Sequence, residues 1–230
     1  MPGSYAAFHR GLAQLLEGGI KVNLKTMALR SNAHELPAIA RFCREGTKDL
    51  FRFDPILQLR FDGNEERNEE IRAERLSAEE IIAIDEADPK RSAALKKRCS
   101  TPEKAILSQE ETDRLFQCGA GSGSFAVSYD GIFRLCPSLW ERDCLYNLRL
   151  GTLADAWLDF VPRVLARTST NPEFLKRCRI CPLMNQCQWC PAEAYLECGR
   201  MDEWCEYFCR VTHIRAETFG KRERAATKEI

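Results

Sequence analysis

Four cysteines fall within the thirteen residues from Cys178 to Cys190, in the spacing C-x2-C-x5-C-x2-C. No other stretch restricts the fold as tightly. Two residues between thiols let the backbone curl, so that both sulfurs aim at one point, as thiolate-bound metals require. Cys181 and Cys190 are each followed by proline, Pro182 and Pro191, which stiffens the exit from the ligand and removes an N–H. Thiolates in such an array select zinc or an iron–sulfur cluster, and the Cys-Pro ending matches cluster-binding runs.

The remaining cysteines follow the same bias. Of twelve, only Cys43 and Cys99 precede residue 118, and ten lie between Cys118 and Cys209. Such density also suits a disulfide scaffold. The start, Met-Pro-Gly-Ser-Tyr-Ala-Ala-Phe-His, however, lacks the charged beginning and apolar centre of an export signal. A reducing cytoplasm is therefore expected, where paired cysteines serve metals or catalysis. Thirty-four basic and thirty-four acidic residues cancel, so no charge field points to nucleic acid. No apolar run approaches the ~20 residues of a membrane helix.

Along the chain, Tyr5 to Glu17 reads as an amphipathic helix stopped by Gly18-Gly19, and Ile20 to Leu29 as an alternating strand. Asn32 is expected to cap a helix from His34 to Arg44, with Cys43 inward, and Leu50 to Leu59 reads as a second strand. This βα rhythm implies a parallel sheet, yet two strands cannot close a barrel or bury both faces. The charged stretch from Asp62 to Arg91 reads as a solvated loop and surface helix, with Ser77 and Glu80 forming a capping box. Lys90 to Gln117 reads as a polar connector with a short helix near Ser108 to Leu115. Asp130-Gly131, between alternating runs, predicts a hairpin flanked by Cys118 and Cys136. The Gly-x-Gly-x-Gly beside Cys118 is no phosphate loop, because no helix and no Lys-Ser/Thr follow it. Helices are expected from Leu153 to Thr168, from Ala192 to Cys198, and from Cys205 to Phe219. The histidines His9, His34 and His213 are scattered and read as surface or core positions.

Residues Cys118 to Cys209 resemble the SPASM domain appended to radical S-adenosylmethionine enzymes. The family pattern is matched by Cys118, twelve residues, Gly131-x4-Cys136, then Cys178-x2-Cys181-x5-Cys187, Cys190, and Cys205 or Cys209. The departure is x2 rather than x3 before Cys190. The resemblance implies two auxiliary 4Fe-4S clusters. Cys118, Cys136 and Cys190 would hold the first, with Cys144 as fourth ligand, or Cys198, or an open iron. Cys178, Cys181, Cys187 and Cys209 would hold the second, with Cys205 able to replace Cys209. Pro2-Gly-Ser-Tyr, Gly19-Ile-Lys-Val-Asn-Leu-Lys-Thr-Met and Phe51-Arg-Phe-Asp resemble the last two βα units of that family's partial barrel. The implied fold is α/β. Residues 1–91 would be the partial barrel, 92–117 a connector, 118–219 a small α+β SPASM domain of hairpin and helices, and 220–230 a tail. Lys25, Arg30 and Asp54 would face S-adenosylmethionine in a complete enzyme.

No C-x3-C-x2-C, the motif that holds the S-adenosylmethionine-cleaving cluster in that family, is present. The resemblance therefore implies the C-terminal portion of an enzyme, inactive alone. A late start, a gene fragment or a split partner could each explain this. The expected partners are a peptide or protein substrate, an electron donor and a separate catalytic chain. S-adenosylmethionine and a third 4Fe-4S cluster belong only to the complete enzyme. Two other readings stand beside it: a non-catalytic iron–sulfur electron carrier or accessory subunit, and a structural zinc module.

Overall fold

The computed structural model describes residues 2–47, 52–100 and 113–220. The fold is mixed α/β, mainly helical, with two small sheets. The chain divides into two compact units: residues 1–57 with 70–76, and residues 58–69 with 77–230. The sequence reading set its connector at 92–117.

In the first unit, helix α1 (Ser4–Glu17) ends where Gly18 N donates to Gln14 O and Gly19 adopts φ +70°. Strands β1 (Lys25–Met27) and β2 (Arg52–Asp54) pair in parallel, with Thr26 opposite Phe53. A 3-10 turn (Ala33–Glu35) and helix α2 (Leu36–Thr47) join them. The expected parallel βα rhythm is therefore present, but the strands are three residues long. On the β2 side the cause is Pro55, which has no N–H to continue the ladder. Residues 50 and 51 of the expected strand lie outside the described residues. Leu36, Ala40 and Cys43 of α2 are buried, as are Phe53, Ile56 and Leu57, so Cys43 is a small core residue.

Asn32 does not cap the helix. Its side chain instead accepts from Leu29 N at 2.8 Å and donates to Met27 O at 3.1 Å, closing the turn that leaves β1. An Asx side chain that finds backbone partners before the helix satisfies itself there.

Helix α3 (Glu65–Glu74) follows, then α4 (Ala78–Ala87) and α5 (Pro89–Ser100). The capping box forms as expected: Glu80 N donates to Ser77 Oγ at 3.2 Å, and Ser77 N to Glu80 Oε2 at 2.7 Å. The surface reading of this stretch fails at α4, which buries Ala78, Ile81, Ile82 and Asp85. The connector reading fails at α5. Asp88 receives Lys90 N and Arg91 N at its start, and Pro89 suits a first helical position, where its N–H would be spare. Both helices pack on the last helix, α9 (Glu206–Gly220). The expected helix near Ser108 falls mostly outside the described residues.

The rest of the second unit begins with the hairpin. Strands β3 (Ala126–Val127) and β4 (Ile132–Arg134) are antiparallel, and β5 (Tyr146–Asn147) joins on the far side of β4. Gly131 N donates to Ser128 O at 2.9 Å across the turn, with Gly131 at φ +82°. Helix α6 (residues 153–165) contains a π turn at Ala156–Phe160, just before Pro162, whose missing N–H such a turn accommodates. Its Ala156, Phe160, Val161 and Val164 meet Phe133, Leu135 and Leu139 in one apolar cluster. A Cβ on Gly121 would come within 3.1 Å of both Leu135 and Val161, so this glycine lets the loop lie against that cluster. Helix α7 (residues 172–179) also ends in a π turn, at Leu175–Arg179, and α8 (Pro191–Cys198) stops at Gly199, φ +74°. Among the described residues no helix is long and apolar enough to cross a membrane.

Candidate metal centre

The C-x2-C curl forms as its spacing predicts. Cys181 N donates to Cys178 O at 3.1 Å, and Met184 N then donates to Cys181 O at 3.1 Å. The π turn of α7 carries Cys178 into this curl, and such turns recur at functional sites. Cys187 N closes a further turn on Leu183 O at 3.0 Å. Opposite, Cys205 and Cys209 stand one turn apart at the head of α9, joined by Cys209 N to Cys205 O at 3.2 Å. The result is a cavity of about 420 Å³, walled by Cys178, Cys181, Cys187, Cys205 and Cys209, with Trp189, Trp204 and His213 beside them.

Burial pushes the Cys178 thiol up to about 12, and the charges of Cys187, Cys209 and Cys181 push the same way. The family resemblance places the same three with Cys178. Backbone N–H groups also aim at sulfur: Trp189 N at Cys187 Sγ, 3.4 Å, and Glu193 N at Cys190 Sγ, 3.4 Å. Such donors stabilise thiolates and tune cluster potentials. His213 Nε2 lies 3.8 Å from Cys181 Sγ. Sequence reasoning left His213 as a bland position; the available signal was its place one helical turn after Cys209.

Among the described residues, no group of three or more His, Cys, Asp or Glu is close enough to surround a single metal ion. Four thiolates on one zinc, with Zn–S near ~2.3 Å, would crowd to within about 4 Å of each other. Here five thiols line the wall of one cavity. The donor set fits an iron–sulfur cluster, because soft thiolates are the ligands such clusters use.

The other expected group is spread more widely. Cys118 is exposed and lines a second cavity, about 500 Å³, with Cys187, Cys190 and the buried Arg179. Arg179 Nη2 donates to Arg114 O, and its guanidinium lies over the Phe174 ring. Cys190 caps α8, and burial pushes its thiol up to about 11, with the Cys136 charge adding in the same direction. Cys136 and Cys190 both pack against the apolar cluster of α6 and the hairpin. Cys144 sits inside that cluster, fully buried. Its Sγ accepts from Arg167 Nη1 at 3.2 Å and meets Met201 Sδ at 3.9 Å. The same guanidinium binds Glu141 at 2.9 Å and Asp143 at 3.1 Å. Cys198 lies 3.5 Å from Cys205, sulfur to sulfur.

Burial pushes the Cys144 thiol up to about 12, although Arg167 opposes it. The folded chain thus holds this proton more tightly than the unfolded chain. Its stabilising contribution is complete below pH ~9 and falls away as pH rises toward 12. Between pH 8 and 10.5, the metal-free chain should lose about 2 kcal/mol through this group. Urea titrations at the two pH values check it, because Cys144→Ala should flatten the slope by that amount whatever its own cost.

In the first unit, Lys25 and Asp54 meet across the parallel pair, Nζ to Oδ2 at 3.1 Å, as an exposed ion pair. Arg30 turns elsewhere: its guanidinium donates to Ala73 O at 3.3 Å and to Arg75 O at 2.9 Å.

No family model matches this chain. A curated protein of Archaeoglobus fulgidus, described as uncharacterized, is 31% identical over 106 residues, which is 42% of this chain and 25% of that protein. The chain therefore spans about a quarter of the length of the relative it matches.

Proposed function

We propose that this chain is the cluster-binding portion of a radical S-adenosylmethionine enzyme with a SPASM domain, acting on a peptide or protein. The observation that carries the proposal is the meeting of Cys178, Cys181, Cys187 and Cys209 around one cavity. In this reading those four hold one 4Fe-4S cluster, and Cys118, Cys136 and Cys190 hold another. Cys205 stands on the same wall as Cys209. The resemblance pairs Cys209 with the Cys178 cluster, and Cys205 has Cys198 as a neighbour 3.5 Å away. When bound, such clusters supply electron storage and transfer. The chain's own part is to hold thiolates in place, aim backbone N–H groups at them and exclude water with Trp189 and Trp204. In a complete enzyme, the Lys25–Asp54 pair at the parallel strands would belong to the S-adenosylmethionine face, whereas Arg30 is committed to the 73–75 backbone.

Anaerobic loading with iron and sulfide tests this. The chain should turn brown and bind iron and acid-labile sulfide in equal amounts, and it should release protons, because Cys178 and Cys190 are protonated at neutral pH. Apparent affinity should accordingly rise with pH. A colourless chain that takes up only zinc would overturn the reading. With dithionite and S-adenosylmethionine, the loaded chain should form no 5′-deoxyadenosine above background, since C-x3-C-x2-C is absent from it.

A further inference from the structure

We propose that Cys198 and Cys205 form a thiol pair that closes reversibly into a disulfide, a redox site outside the four thiols Cys178, Cys181, Cys187 and Cys209. Their sulfurs are 3.5 Å apart, seven residues apart in sequence. A disulfide bond is about 2.05 Å long, so closure needs a movement of about 1.5 Å. The pair is asymmetric in access, with Cys198 exposed at the end of α8 and Cys205 buried before α9.

The segment between them is already held in the shape the bridge needs. Gly199 takes the left-handed conformation that turns the chain out of α8. Asp202 O receives Asn171 Nδ2 at 2.8 Å, and Asp202 Oδ2 receives Ser169 Oγ at 3.0 Å. Glu203 O receives Trp189 Nε1 at 2.8 Å. Closing the bridge therefore orders little that is not ordered already, and the two thiols act at high effective concentration toward each other.

The exposed thiol is the point of entry. With glutathione disulfide as oxidant, Cys198 Sγ as thiolate attacks one sulfur of glutathione disulfide. Its proton goes to solvent, and one glutathione leaves as thiolate. Cys205 Sγ, losing its own proton, then attacks the Cys198 sulfur of the mixed disulfide and expels the second glutathione. The protein loses two electrons and two protons, and the small disulfide gains two electrons to become two thiols. Because Cys205 lines the thiol cavity with Cys178, Cys181, Cys187 and Cys209, closure changes one wall of that cavity without using those four.

The test is alkylation mapping of the whole chain, prepared anaerobically and then equilibrated with glutathione disulfide. Cys198 and Cys205 should together lose alkylation and appear in one cross-linked peptide, and excess reduced glutathione should restore both. Cys205→Ser should stop at the mixed disulfide, adding one glutathione at Cys198. Cys198→Ser should leave Cys205 alkylatable after denaturation. Both thiols remaining free while other cysteines oxidise would overturn the proposal, as would bridges scattered among many pairs. Iron and sulfide uptake, measured separately on the wild-type chain, distinguishes this result from the cluster reading. Failure to load in the wild-type chain would speak against the clusters and leave the disulfide map standing.

Discussion

Replacing Asp85 by alanine is expected to destabilise the chain by about 3–5 kcal/mol, the cost of breaking a buried ion pair from one side. Asp85 is fully buried on α4. One carboxylate oxygen meets Arg91 Nε on α5, and the other meets Arg215 Nε on α9 at 2.8 Å. Three helices therefore share one anion. Arg215 is itself only 12% exposed, so removing the carboxylate leaves a cation in a place that water scarcely reaches. Asp85→Asn keeps the volume and part of the hydrogen bonding and should lose less. The exposed Lys25–Asp54 pair gives the contrast: Lys25→Ala should cost no more than about 1 kcal/mol, because solvent screens it. Urea unfolding of the three variants decides the matter. A loss under about 1 kcal/mol for Asp85→Ala would mean that the apolar contacts of Ile81 and Ile82 alone hold α4 in place.

What could be read from the sequence was local. Ser77 and Glu80 are three residues apart, and their reciprocal bonds need nothing from elsewhere. Asp130-Gly131 sets a turn because Gly131 alone tolerates the left-handed backbone there. The Cys178–Cys181 curl is likewise closed by its own backbone. What could not be read was set by distant partners. Asn32 was free to choose between the helix start and the β1 turn, and the turn won. Residues 78–100 look polar in sequence, yet α9, more than a hundred residues later, covers their apolar and acidic face. The candidate site divides the same way. Spacing put Cys178, Cys181, Cys187 and Cys190 in one run, and the family resemblance set Cys178, Cys181 and Cys187 together. The choice between Cys205 and Cys209, the closeness of Cys198 to Cys205, and the contact of His213 with Cys181 all depend on how α8 and α9 meet. Cys144 drew attention as a thiol in the right region. Its burial against Met201 and Arg167 came from packing that no spacing rule encodes.

Removing the central thiol should have the largest effect on metal content. In Cys178→Ala, bound iron and sulfide should fall by half relative to a fully loaded chain, because one of two clusters loses a ligand whose neighbours are Cys187, Cys209 and Cys181. Burial opposes ionisation of the Cys178 thiol, so the metal-free variant should not be less stable at alkaline pH than its parent; the deficit should appear only on loading. That pattern distinguishes a ligand from a packing residue, for which stability would fall in both states. Cys209→Ser should reproduce the loss, and Cys205→Ser should not, since Cys205 has Cys198 as its sulfur neighbour. Cys43→Ala, in the first unit, should leave iron unchanged, because that cysteine is buried on the apolar face of α2 and matches no position of the cluster-binding pattern. Full iron retention in Cys178→Ala would leave the cavity at the head of α9 without a metal role, and a proportional loss in Cys205→Ser would move the fourth ligand one helical turn earlier.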